Sequence, residues 1–185
     1  PEQGERVALE VSQSGSSGDI KVISTDVTNP SSVGSMVNET INSLGSVDIL
    51  VNNVGWTVDR LFLDKPRSEY EKEVQVNLWG AINCIHAVLP HMVERQSGSV
   101  VSISSDAGRM GEYREAVYSA CKAGVIALSK AIARETGRYG LRFNMVVLCL
   151  LPRNCGRRSS FLVSTSSPLG VRAALYKAFP VGTCT

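Results

Sequence analysis

Val47-Asp48-Ile49-Leu50-Val51-Asn52-Asn53-Val54-Gly55 is the stretch that decides the fold. Five residues, mostly β-branched or aliphatic, run without a polar face and stop at two amides and a glycine. A short continuous apolar run closed by turn residues reads as a strand buried on both sides. Working outward, the same pattern recurs. Ile20-Lys21-Val22-Ile23-Ser24 leads to Asp26-Val27-Thr28, and Ser99-Val100-Val101-Ser102-Ile103 leads to Ser104-Ser105. Leu141 to Leu151 forms a further apolar, partly β-branched run.

Helical stretches separate these runs. Residues 2–14 read as a short helix ending at a Ser/Gly linker, Ser14 to Gly18. Asn29-Pro30 starts a helix that runs to Leu44 and stops at Gly45, since an amide cap followed by proline suits the first turn. A long helix is predicted from about Ser68 to Arg95, with a bend at Pro90. Another follows the loop after Ser105 and runs through Arg138. Strands alternating with helices imply right-handed crossovers and a parallel sheet. The predicted fold class is therefore α/β, a doubly wound parallel sheet. In such sheets ligands bind beyond the carboxyl ends of the strands. Asp26, the segment Asn52 to Gly55, and Ser104-Ser105 all fall at those ends, which points to one shared cleft.

Tyr118-Ser119-Ala120-Cys121-Lys122 adds chemistry to that cleft. Residues four apart share a helix face, so the phenol and the ammonium can address the same space. A nearby cation favours the phenolate and is expected to lower the tyrosine pKa from roughly 10. A phenol tuned in this way can exchange a proton near neutrality.

Taken together, these residues resemble the short-chain dehydrogenase/reductase family. Asp26-Val27-Thr28 is similar to its adenine-contacting segment. Asn52-Asn53-Val54-Gly55 is similar to its Asn-Asn-Ala-Gly motif, and Asn77 within Val76-Asn77-Leu78-Trp79-Gly80 to its helix asparagine. Ser105 precedes Tyr118 by thirteen residues, the family's serine-to-tyrosine spacing. The resemblance implies a Rossmann-like fold and reversible hydride transfer between NAD or NADP and a secondary alcohol or ketone. It also implies that Asn77, Ser105, Tyr118 and Lys122 carry catalysis. Asp26, Val27, Asn53, Val54 and Gly55, with Tyr118 and Lys122, would contact the cofactor. No metal is required. Within the family, the residues Asn53 to Trp56 and Ser105 to Arg109 are most similar to enzymes acting on alicyclic hydroxyacyl-CoA substrates, with 3-oxoacyl-carrier-protein reductases as the nearby alternative.

Two departures from the pattern stand out. No Gly-x-x-x-Gly-x-Gly occurs in the 185 residues, so the chain reads as lacking the family's first β-α-β unit and its phosphate turn. The choice between NAD and NADP stays open with it. Where the family continues with Pro-Gly after the stretch matching Arg142 to Val146, Leu148-Cys149 stands instead. Residues 153–170 are rich in Arg, Ser and Cys without a clear period. A disturbed reading frame and a variant substrate loop are both consistent with that segment, which is expected to be poorly ordered without ligand. The expected organisation is a partial Rossmann-like domain over 1–152, with 153–185 as an irregular substrate-loop and C-terminal segment of the same domain. A non-catalytic scaffold that keeps the fold is the competing function.

Composition bounds the partners. A formal net charge of +2 from 19 basic and 17 acidic residues gives no electrostatic reason to expect nucleic acid. No run reaches the ~18 apolar residues of a membrane span. The five cysteines show no metal or paired spacing, which fits reduced thiols and a cytoplasmic location. In the family, helices at the places of 68–95 and 113–138 pair across a two-fold axis, so a homo-oligomer is expected here.

Overall fold

The computed structural model describes residues 2–13 and 20–148, and the backbone of 173–175. Four strands form one sheet, β1 (Ile49–Asn52), β2 (Gly98–Ser105), β3 (Leu141–Leu148) and β4 (Ala173–Leu175). Their order is β3-β2-β1-β4, and every pairing is parallel. The helices are α1 (Glu2–Gln13), α2 (Pro30–Leu44), α3 (Arg67–Val74), α4 (Gly80–Glu94), α5 (Ala107–Met110) and α6 (Ala116–Thr136). The parallel α/β, Rossmann-like architecture expected from the apolar runs is the one observed.

Local chemistry explains the boundaries. Asn29 caps α2 by accepting from the amides of Ser31 and Ser32, and Pro30 fills the first position, where no amide donor is needed. Gly45, at φ 86°, ends the helix in the left-handed region that a side chain would resist. The core gathers where α2 packs on α4 and α4 on β1 and β2. Val33, Met36, Leu50, Ile85, Val88 and Met92 are nearly inaccessible there. Burying one such aliphatic side chain contributes about 1.5–3 kcal/mol. α6 covers β2 and β3. The 24 residues Ala116–Tyr139 match a membrane-spanning helix in length and composition. That helix nevertheless packs on the sheet, with Lys122, Ser129 and Thr136 buried.

Three expectations need correction. The Ile20–Ser24 run is not a strand: residues 20–26 are irregular and lie outside the sheet. Side chains hold the segment instead. Lys21 pairs with Glu39 of α2 at 2.8 Å, Ser32 Oγ accepts from the Asp26 amide, and Asn83 Nδ2 donates to the Val27 carbonyl. The long helix is continuous through Pro90, and its irregularity falls elsewhere. A π turn over Gln75–Trp79 joins α3 to α4 and carries Asn77. The helix expected from about Tyr113 starts at Ala116, after the separate short helix α5. The Ser14–Gly18 linker, the end of the Leu141–Leu151 run and the 153–170 segment lie outside the described residues. β4 was not foreseen in the sequence.

Candidate active site

The carboxyl ends of β1 and β2 open into one cleft, and the π turn, α4 and α6 close it. Val27, Asn52, Val54, Asn77, Ile103 and Lys122 line it. Asn52 Nδ2 reaches across the sheet to Ser102 Oγ at 3.5 Å and ties the two strand ends loosely together. Asp26 stands exposed beside Val27 at the cleft's far end. Its Oδ1 accepts from the Thr28 amide and hydroxyl at 2.9 and 2.8 Å, an arrangement that fixes the turn after that irregular segment. Asn53 follows, half-buried, in the turn after β1.

Asn77 is buried and fully engaged. Its Oδ1 accepts from the Trp56 amide at 3.0 Å; its Nδ2 donates to the carbonyls of Trp56 at 2.7 Å and Glu73 at 2.8 Å. The extra residue of a π turn displaces Asn77 from its regular helical position, as such bulges commonly do at functional sites. Gly55 passes directly above. A Cβ there would lie 3.3 Å from Asn77 Oδ1 and 3.6 Å from Lys122 Nζ. A side chain at 55 would therefore press on the Asn77 oxygen and touch Lys122 Nζ at ordinary contact distance, so glycine keeps the centre of the cleft open.

Ser105 is the last residue of β2, and its Oγ accepts from the Ala107 amide at 3.2 Å. Its hydroxyl faces the Tyr118 phenol closely enough to lower that phenol's pKa. Tyr118 and Lys122 lie one turn apart on α6, with Nζ 5.6 Å from the phenol ring's centroid. Gly108 lets α5 approach α6, because a Cβ there would meet the Lys122 backbone at 2.8 Å. The candidates Asn77, Ser105, Tyr118 and Lys122 thus share one site.

The electrostatics differ from the expectation. Burial pushes the Tyr118 phenol up, not down, and the carboxylates of Glu115 and Glu73 push it further, while the Ser105 hydroxyl opposes them. Lys122 does not reverse this. Its Nζ donates to the Ile103 carbonyl at 3.0 Å, and burial lowers its own pKa from 10.5 to about 8. Burial also raises the Cys121 thiol, which is the wrong direction for a nucleophile.

Sequence reasoning missed Lys65 and Glu73. Their side chains are 2% and 0% exposed, and Nζ lies 2.5 Å from Oε1. The available signal was Glu73's position one turn before Asn77, on the face that turns inward.

The sequence profile described as short chain dehydrogenase matches residues 1–152. The chain belongs to the short-chain dehydrogenase family of NAD(P)-dependent oxidoreductases. It is 40% identical over 124 residues to the 3-oxoacyl-acyl-carrier-protein reductase of Staphylococcus epidermidis, covering 67% of this chain and 51% of that one. With the Staphylococcus aureus reductase of the same name it shares 37% over 145 residues, 78% of this chain and 58% of the other. Among solved structures, a short-chain dehydrogenase from Streptomyces avermitilis superposes with a TM-score of 0.69 at 32% identity, over 75% of this chain and 51% of that one. ElxO with NADP bound gives 0.66 at 31% identity, over 68% and 51%. The chain spans about half the length of these relatives.

Proposed function

We propose that this chain carries the catalytic half of an enzyme for reversible hydride transfer between NAD(P) and a secondary alcohol or ketone, with a hydroxyacyl thioester as the substrate class. The observation that carries the reading is the convergence of Ser105, Tyr118, Lys122 and Asn77 on one cleft at the strand ends. The names of the Staphylococcus reductases support the thioester class. Exposed Leu61, Phe62 and Leu63 on the loop before α3, and Met110 at the end of α5 with Tyr113 just after it, offer apolar surface for an acyl group.

The residues suit the two ends of a dinucleotide. Asp26 and Val27 would hold the adenosine end, with Val54 and the open path over Gly55 beyond them. Tyr118 and Lys122 would hold the nicotinamide-ribose end. When bound, NAD(P) supplies or accepts the hydride. Tyr118 gives its phenolic proton to the substrate oxygen, or takes one back in the reverse direction. Its raised pKa keeps it protonated at neutral pH and suits it to the acid role. Ser105 donates to the same substrate oxygen and orients it. Lys122, nearly inaccessible and still mostly charged at pH 7, favours negative charge developing beside it. Asn77 holds the loop at Trp56 over the site.

The centre of the cofactor lacks a cradle within these 185 residues, because no glycine-rich turn is present to wrap a pyrophosphate at a helix N-terminus. The isolated 185-residue chain is therefore expected to bind NADP weakly. Calorimetry should find no submicromolar site. A dissociation constant below about 1 μM, roughly −8 kcal/mol, would show that another segment supplies the phosphate contacts and would overturn this expectation.

We also propose a homo-oligomer. On the two helices expected to pair, Ile85, Val88 and Val125 are buried within the chain, and Leu89, Leu128 and Ile132 pack on the core. Trp79 remains 47% exposed beside half-buried Leu78 and Ile82. A two-fold axis through this region would cover the patch with its own copy. Sedimentation should show a dimer or larger at micromolar concentration, and a strictly monomeric species would refute the contact. A reducing cytoplasm is the proposed location, in keeping with buried, unpaired Cys84 and Cys121.

A further inference from the structure

Glu73 and Lys65 form a buried ion pair that the proposed chemistry does not use. Exchanging such a pair for apolar residues of similar volume is often neutral or stabilising, so stability alone does not explain it. Its connections suggest another role. One carboxylate oxygen, Glu73 Oε1, accepts from Lys65 Nζ at 2.5 Å, Thr57 Oγ1 at 3.0 Å and the Val58 amide at 3.3 Å. All three donors belong to the loop between β1 and α3. The residue just before them, Trp56, holds Asn77 by both its amide and its carbonyl. The Glu73 backbone carbonyl holds the remaining Asn77 proton and receives the Cys121 thiol at 3.8 Å, next to Lys122. Glu73 therefore grips Asn77 directly through its main chain and indirectly through its side chain. Its second oxygen, Oε2, is buried without a hydrogen-bond partner. That leaves the carboxylate dependent on Lys65 for compensation.

We propose that Lys65 and Glu73 act as one positioning unit, which clamps the loop at Trp56-Thr57-Val58 and so fixes the Asn77 amide in the cleft. The part Asn77 plays in turnover rests on the oxidoreductase reading; the clamp itself does not. In support, the Glu73 charge is one of those that raise the Tyr118 phenol, after burial and Glu115, so the unit stands close to the reacting groups.

The test uses the 185-residue chain and nitrogen-15 NMR, with a Lys65→Met/Glu73→Leu pair that keeps the buried volume. Hydrogen exchange of the Asn77 side-chain amide and the Trp56 backbone amide is expected to accelerate at least tenfold, while the Val88 and Met92 amides of α4 keep their protection. Lys65→Arg, which preserves the charge, should leave Asn77 exchange within twofold of the parent. Unchanged exchange at Asn77 and Trp56 in the double variant would overturn the proposal. Equal acceleration at Val88 and Met92 would overturn it too, since the pair would then be only a general stabiliser. In a chain extended upstream by a glycine-rich phosphate turn, the double variant should lose at least tenfold in kcat, with KM within twofold. Should that extended parent prove inactive, the oxidoreductase reading fails while the exchange measurement still decides the clamp.

Discussion

Tyr118→Phe is expected to abolish nearly all turnover in a chain that carries a glycine-rich phosphate turn upstream of Pro1. In the proposed chemistry the phenol exchanges a proton with the substrate oxygen that Ser105 orients. Removing a positioned general acid or base costs typically 10²–10⁴-fold in rate. The loss should fall on kcat, because the ring that shapes the cleft stays in place. Folding should change little. Tyr118 is half-buried, and its phenol gives up its interaction with the Ser105 hydroxyl, a net contribution of roughly 1 kcal/mol. Steady-state kinetics and thermal unfolding on the same preparation test both halves. A mutant with full activity would remove Tyr118 from the mechanism, and an inactive but unfolded one would leave the loss to stability. A pH-rate profile of the parent adds a sign. With the phenol raised by burial, the reduction direction should hold its rate through neutral pH and fall on the alkaline side.

How much of this was legible in the sequence differs from element to element. β1 and β2 could be read because unbroken apolar runs ended in residues that make poor strands. α2 could be read from Asn29-Pro30 and Gly45, which are its cap, first position and terminator in the structure. The segment at Ile20 carried the same apolar signal and was misread. A run of β-branched residues reports a tendency to extend, not the presence of a neighbour to pair with. Among the described residues no strand lies beside it, and side chains from α2 and α4 take that place. The π turn left no mark either. Its residues, Gln75 to Trp79, are ordinary helix formers, and the turn is sustained by what Asn77 bonds across the cleft. Pro90 drew attention as a breaker yet sits inside α4 without ending it.

The site shows the same division. Motif spacing anticipated that Asn77, Ser105, Tyr118 and Lys122 would be neighbours, because strand ends and helix faces fix where such residues can point. Spacing could not give the sign of the Tyr118 shift. That depends on burial and on Glu115 and Glu73, whose distances only the fold sets. The Lys65–Glu73 pair was hidden for a related reason. A Lys and a Glu eight residues apart, across a loop, look like surface charges until the loop folds back.

Lys122→Met is expected to make the folded chain more stable at neutral pH by about 1–3 kcal/mol while disabling the site. Burial lowers the Lys122 pKa from 10.5 to about 8, so holding the ammonium charged costs about 3 kcal/mol relative to its neutral form. Methionine keeps the apolar stem and removes that cost. Against the gain stands the hydrogen bond to the Ile103 carbonyl, whose loss returns part of it. The sign with pH follows from proton counting. Between about pH 8 and 10.5 the unfolded lysine is still protonated and the folded one is not, so the unfolded state binds more protons and stability rises with pH. The parent therefore regains stability through that window, and the variant, lacking the group, does not. The advantage of Lys122→Met should be full below about pH 8 and shrink steadily above it. Comparing the two chains at each pH cancels the titration of the tyrosines that both retain. Urea unfolding at pH 7, 8, 9 and 10 measures the difference directly. A variant no more stable than its parent at pH 7, or an advantage that stays constant up to pH 10, would mean that Lys122 is not held as a strained cation. The ammonium would then sit in the cleft at no cost in stability, and burial would not be what sets its charge.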